Sequence, residues 1–162
     1  MLPKKIHYSN SKKSVQSFWS KTPCSGLSFD SIDQIIEYRK SKDPYIRVFL
    51  NDLVCSNNAY VLDLGCGQGP DITEMSRTYT NVFGCDLSMG SLQQALQLNP
   101  SLTGKIIQSD ARILPYKSDC FDAIYSNGVI HHSVNIEESI SEIYRVLKPG
   151  GKGRVMVYRK YS

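Results

Sequence analysis

The sequence predicts a three-layer α/β domain built on a mainly parallel sheet. Three observations carry that expectation. From residue 59 onward, short apolar runs alternate with amphipathic helical stretches. The first of these runs ends in Gly65-Cys66-Gly67-Gln68-Gly69 and passes straight into a helix opened by Pro70. The composition, 162 residues with 41% hydrophobic and 21% charged, suits one globular core and is short for two domains. Strands separated by helices pair in parallel through right-handed crossovers, which places ligands at the strands' carboxyl ends.

Each element has a local reason. Residues 14–21 predict a short helix carrying Phe18 and Trp19, stopped before Pro23. Asp30-Ser31 starts a second helix with Ile32, Ile35, Ile36 and Tyr38 near helical period. Asp43 as N-cap and Pro44 in the first turn predict a third, with Tyr45, Ile46, Phe49, Leu50 and Leu53 on one face. Strands are expected at 59–64, 81–86, 105–109, 121–126 and 154–158. A helix capped by Ser88 runs to near Pro100. Residues 136–147 form an amphipathic helix with Ile136, Ile140, Ile143, Tyr144 and Leu147 inward, and Pro149-Gly150-Gly151 turns the chain. The division is residues 1–58 as a helical lid or cap and 59–162 as the core, in one folded unit.

Composition excludes several classes. The net charge of +4 is too small, and the apolar fraction too high, for a disordered chain. No apolar stretch approaches the roughly 20 residues a membrane span needs, and the charged start lacks the hydrophobic region of a secretory signal. The five cysteines (24, 55, 66, 85 and 120) are odd in number, with no CxxC and no zinc-ligand spacing. A cytoplasmic location and no metal site are expected, with Cys66, Cys85 and Cys120 packing as small hydrophobes. Residues 1–21 hold five lysines and no acid, and six basic residues follow Glu142. The middle carries 8 basic residues against all 15 acids. An acidic body with basic ends lacks the working face of a nucleic-acid binder.

The glycine loop is the strongest signal. Glycines at alternate positions let the backbone turn tightly and approach a ligand, and the following helix offers free N–H groups to an anion. Asp86 ends the second strand 21 residues after Gly65, where an acid meets ribose hydroxyls in nucleoside-binding α/β folds. It could instead cap the next helix, a task Ser88 can perform. Pro70 stands where G-x-G-x-x-G needs its third glycine, which argues against a pyrophosphate ligand.

With these motifs in place, the chain resembles the class I S-adenosylmethionine-dependent methyltransferases. The phrases are Asp63-x-Gly65-x-Gly67-x-Gly69, Gly84-Cys85-Asp86-Leu87-Ser88, the run from Ser109-Asp110-Ala111 to Pro115-Tyr116, the run from Phe121 to His131-His132, and Tyr144-Arg145-Val146-Leu147-Lys148-Pro149-Gly150-Gly151. They cover residues 59–158 in order. The resemblance implies a Rossmann-like three-layer sandwich and S-adenosyl-L-methionine as cofactor. It also implies roles. Gly65, Gly67 and Gly69 would hold the methionine portion, with Asp63 near its ammonium. Asp86 would bind ribose, and Leu87 would pack on adenine. Asp110 would accept from the adenine amino group while Ala111 offers its N–H. Asn127 would lie near the sulfonium. Read from the residues alone, Asp110 could instead cap a turn, and Asp122 is expected as a strand-start surface acid. His131 and His132 follow the fourth strand, where acceptors approach, and are candidates for a base or acceptor contact. Adjacent residues do not both face one pocket, and structural histidines are the alternative.

The chain departs from the family pattern in two ways. The family's C-terminal strands, beyond the fifth, are missing here, as in a fragment or a reduced form that self-associates through its open strand edge. Gly153-Arg154 stands where strand five is usually apolar, and a buried Arg without a partner is costly. The expected function is methyl transfer to a small-molecule acceptor. A nicotinamide-dependent oxidoreductase and a non-catalytic cofactor- or partner-binding module are the alternatives. Phe18-Trp19, Pro23-Cys24 and Tyr38-Arg39 belong either to a lid over the ligand or to simple packing on the sheet's helical layer.

Overall fold

The computed structural model describes residues 11–21, 29–51, 53 and 56–158. Cys24, Cys55 and the Pro23-Cys24 stretch lie outside the described residues. Five parallel strands form one sheet: β1 (Tyr60–Leu64), β2 (Asn81–Asp86), β3 (Ile106–Gln108), β4 (Phe121–Asn127) and β5 (Leu147–Met156), in the order β3-β2-β1-β4-β5. Helices α1 (Lys12–Lys21), α2 (Ile32–Lys42) and α3 (Ile46–Asn51) precede it; α4 (Pro70–Met75), α5 (Met89–Leu98) and α6 (Ile136–Val146) alternate with the strands. The strand order reverses at β1, so the crevice between the carboxyl ends of β1 and β4 is where a ligand fits.

Alternation along the strands makes the three layers. Val61, Val82, Ala123 and Tyr125 point into a core shared with α3, α4 and α5 (Ile46, Leu50, Ile72, Met75, Leu92). Leu62, Leu64, Cys85 and Ile124 point the other way, against Leu114 and the Ile143 and Val146 face of α6. Because Ile46, Leu50 and Leu53 sit in the first of these clusters, the segment before β1 shares the sheet's core. Cys66 and Cys85 are buried free thiols, and burial pushes both thiols up in pKa.

Three local expectations are corrected. Asp43 closes α2 instead of opening α3: its N–H donates to Arg39 O, and Pro44 falls in the turn before α3 starts at Ile46. On α6 the sheet covers Ser139, Ile143 and Val146, while Ile136, Ile140 and Tyr144 are 42%, 51% and 82% exposed. The apolar arc of that helix is wider than its contact with the sheet. Strand β5 begins at Leu147 rather than 154. Pro149-Gly150-Gly151 is an irregularity inside it, with Gly150 at φ +79° and a register shift opposite Phe121 and Ala123. Asp122, a strand-start acid still one-third exposed, also ties strands together. Both its oxygens take Lys148 Nζ at 2.8 Å, and Oδ2 accepts Tyr60 N at 2.8 Å, tying the amino ends of β1, β4 and β5. Lys148 accordingly lowers the Asp122 pKa. Arg154 is only half-buried, with its guanidinium 5.4 Å over the Phe49 ring.

Candidate active site

The loop after β1 is anchored first by backbone: Gly65 N and Cys66 N both donate to Cys85 O, at 2.7 and 3.1 Å. Gly65 sits at φ +84°, and a Cβ there would lie 2.3 Å from Val129 Cγ2, so only glycine fits. Gly69, also at +84°, caps α4, and its missing Cβ lets Leu102 and Ala95 close in. Asp86 braces the loop from β2. Its Oδ2 accepts Gly67 N at 2.9 Å and its Oδ1 accepts Ser88 N at 2.8 Å. Burial raises the Asp86 pKa, opposed by these backbone donors. Ser88 caps α5 itself, its hydroxyl accepting Ser91 N at 3.1 Å. Each Asp86 oxygen therefore keeps acceptor capacity for a further donor.

Asp63 lies beneath the loop, buried, and its Oδ2 has no partner. Burial and the neighbouring Asp71 push its pKa well up, against the pull of Arg39. Arg39 of α2 grips Asp71 in bidentate fashion, Nε to Oδ1 at 3.0 Å and Nη2 to Oδ2 at 2.9 Å, and Tyr125 OH donates to Asp71 Oδ2 at 3.1 Å. This trio, which fastens α2 to α4 and β4 beside Asp63, is absent from the sequence reading. Its sequence traces are Arg39, singled out for a lid or for packing, and an acid in the first turn after the glycine loop.

At the end of β4, Ser126 Oγ and Asn127 Oδ1 are also buried without partners, as are both ring nitrogens of His131. The Asn127 side chain reaches the Tyr45 hydroxyl. His131 and His132 sit in a single 3-10 turn, with ring centroids 3.8 Å apart; His132 faces Trp19 at 5.1 Å and His131 faces Tyr158 at 5.0 Å. The rings touch each other but look to different neighbours. Burial lowers both, His132 to about 4 with help from His131, so both are neutral at pH 7.

Beyond β2 and β3 lies a cavity of about 440 Å³ lined by Leu87, Gln108, Ser109 and Asp110, with Lys12 and Gln16 of α1 opposite. Asp110 is engaged by Arg112 (Nη2 to Oδ2, 2.8 Å) and Lys12 (3.2 Å), and hydrogen bonds from Arg112 and Lys12 outweigh burial to hold its carboxyl at about 2. Ala111 packs on the core next to it. The structure thus joins Gly65, Gly67 and Asp86 through the loop's hydrogen bonds, and sets Asp63 and Asn127 near the ends of β1 and β4, His131 in the turn after β4, and Leu87 and Asp110 on the cavity beyond β2.

This architecture, a glycine loop braced by a second-strand acid over a β3-β2-β1-β4-β5 sheet, defines a nucleoside-cofactor domain. A family model described as "Methyltransferase domain" matches residues 62–155, and the chain belongs to that family, the class I S-adenosylmethionine-dependent methyltransferases. S-adenosylmethionine is the cofactor this site is built for, and the nicotinamide alternative falls. The chain is 34% identical over 92 residues to the demethylmenaquinone methyltransferase of Streptomyces avermitilis, covering 57% of this chain and 39% of that protein. It is 36% identical over 118 residues to the probable tRNA methyltransferase 9B of Mus musculus, covering 71% and 24%. It therefore spans well under half the length of these curated relatives. Among solved structures, the [4+2]-cyclase SpnF superposes with TM-score 0.72 at 22% identity, over 90% of this chain and 59% of that one. The geranyl diphosphate C-methyltransferase of Streptomyces coelicolor, solved with S-adenosyl-L-homocysteine, gives 0.69 at 17%, over 89% and 63%. At these identities the likeness establishes the fold alone.

The residues fit the cofactor. An orphaned carboxylate oxygen lies under the glycine loop, a braced acid stands at the end of β2, and an open cavity lies beyond it.

Proposed function

We propose that the chain carries the cofactor half of a methyltransferase acting on a small-molecule acceptor. The observation that carries this reading is a set of buried, unpartnered polar atoms near the carboxyl ends of β1 and β4 and in the turn after β4: Asp63 Oδ2, Ser126 Oγ, Asn127 Oδ1 and the His131 nitrogens. Such groups are costly unless bonded, so a ligand's polar atoms complete them. When bound, S-adenosylmethionine supplies a sulfonium-activated methyl group for in-line displacement. Asp63 pairs with the ammonium above it, and Gly65, Gly67 and Gly69 shape the floor for the methionine portion. Asp86 accepts the ribose hydroxyls, Leu87 packs on adenine, and Asp110 and Ala111 edge that pocket. Asn127 orients the crevice near the reacting centre. Alignment and water exclusion can supply about 7–11 kcal/mol of barrier reduction. His131, neutral and with Nδ1 and Nε2 unengaged, can take the proton an acceptor gives up; His132 supports its ring.

Support for a small acceptor over nucleic acid comes from the arginines. Arg39, Arg77, Arg112 and Arg145 pair with carboxylates, and Arg154 stacks on Phe49, so among the described residues these arginines form no basic face for phosphates. Helices α1–α3 form the proposed cap, and the free buried thiols fit a cytoplasmic setting. No helix among the described residues is long and apolar enough to cross a membrane. A second reading, a binding module that self-associates, draws on β5: it lies at the sheet edge, with Val157 and Tyr158 exposed beyond it. The test is transfer of label from methyl-labelled S-adenosylmethionine to a panel of small molecules and to tRNA. Turnover on a small molecule supports the first reading. Transfer only to tRNA overturns the acceptor class, and none at all, with a sedimenting dimer, favours the second.

A further inference from the structure

The cavity beyond β2 and β3 has a wall that the family motifs do not contain. Helix α1 lies across it, contributing Lys12 and Gln16. The cavity's polar groups are mostly engaged within the protein. Gln108 Nε2 donates to Leu87 O, Ser109 Oγ donates to Asp110 O and Ile113 O, and Asp110 is held by Arg112 and Lys12. Among the described residues, the Gln16 carboxamide is the lining side chain that lacks any such partner.

The helix is firmly seated. Ser20 Oγ lies 3.2 Å from Ser88 Oγ, and Ser91 Oγ reaches Trp19 O. Gly90 leaves room for the Ser20 carbonyl, which a Cβ there would meet at 3.1 Å. Lys12, Gln16 and Trp19 fall at i, i+4 and i+7, a single stripe. That stripe runs from the Asp110 ion pair, across the cavity, to the His132 ring.

We propose that Gln16 is an adenine-reading residue of the cofactor site: its carboxamide oxygen accepts from the adenine amino group and its NH2 donates to a ring nitrogen. Lys12, bridged to Asp110, holds the helix across the pocket. A carboxamide matches the amino edge of adenine in a bidentate way that an apolar side chain cannot, and a site built around a hydrogen bond rejects the analogue lacking it. The inference rests on the reading that adenine occupies this cavity.

The test is calorimetric titration of wild type and Gln16→Leu with S-adenosylhomocysteine and with its deaminated analogue, S-inosylhomocysteine. Wild type prefers the adenine ligand, and Gln16→Leu shrinks that preference by about fivefold or more, leaving the affinity for the inosine analogue within about twofold. Lys12→Ala weakens both ligands alike, by no more than a few fold. Emission of Trp19, the chain's single tryptophan, stays at its wild-type position in ligand-free Gln16→Leu, because α1 remains seated. An unchanged preference overturns the proposal alone. So does an equal loss for both ligands with a red-shifted Trp19, which marks an unseated helix. Failure of folded wild type to bind either ligand overturns the reading of the site as well.

Discussion

The two ends of the sheet's carboxyl edge differ in how far the protein satisfies its own polar groups. Over β2 and β3, Asp86 holds two backbone N–H groups and Asp110 holds Arg112 and Lys12. Over β1 and β4, Asp63, Ser126, Asn127 and His131 keep buried atoms without partners. The first end is set in shape before any ligand arrives, as preorganised binding requires. The second keeps buried polar atoms that no group among the described residues engages. On the proposed function, the end at Asp86 would fix the adenosine, while the β1 and β4 end would meet both the methionine portion, through Asp63, and the acceptor.

The largest expected effect falls at the β1 and β4 end. Arg39→Ala leaves the Asp71 carboxylate unpaired beside Asp63 and costs about 3 kcal/mol of stability, the low end for a buried pair because Arg39 is still 22% exposed. Urea unfolding measures it. Next, Asp86→Ala weakens S-adenosylhomocysteine binding by roughly 1.5–3 kcal/mol, the range for hydrogen bonds to a charged group. Asp63→Asn, which keeps the side chain's shape but not its carboxylate, should in contrast change stability little while weakening the ligand.

A fourth prediction uses pH. The folded His132 pKa of about 4 lies below the ordinary 6.5, so the unfolded chain takes up the proton first. The stability this histidine allows is present above pH 6.5 and is lost progressively as the pH falls toward 4. His132→Phe should remove that part of the slope, seen as a smaller fall in Tm between pH 7 and 4.5. The smallest effect is expected on α6, where Tyr144→Ser should change stability by less than about 0.5 kcal/mol, since Tyr144 is 82% exposed.

The strands, the glycine loop and the position of Asp86 were legible because they depend on local pattern: apolar runs, a turn that needs positive φ, and a helix directly after it. What escaped depends on partners far apart in sequence. Arg39, Asp71 and Tyr125 meet only when α2, α4 and β4 are packed, and Asp122 gains Lys148 only once β5 is beside β4. Periodicity found the apolar arc of α6 but not which part of it the sheet covers. The Gly150-Gly151 pair signalled an irregular backbone without saying that the strand continues through it.

The central claim is that this crevice, with Asp63 and Asp86 as its anchors, holds the cofactor. Calorimetric titration of the chain with S-adenosylhomocysteine tests it most directly. The account predicts one site per chain, with binding reduced in Asp86→Ala and in Asp63→Asn. Absence of binding to a cooperatively folded chain, or binding that neither substitution alters, would contradict it.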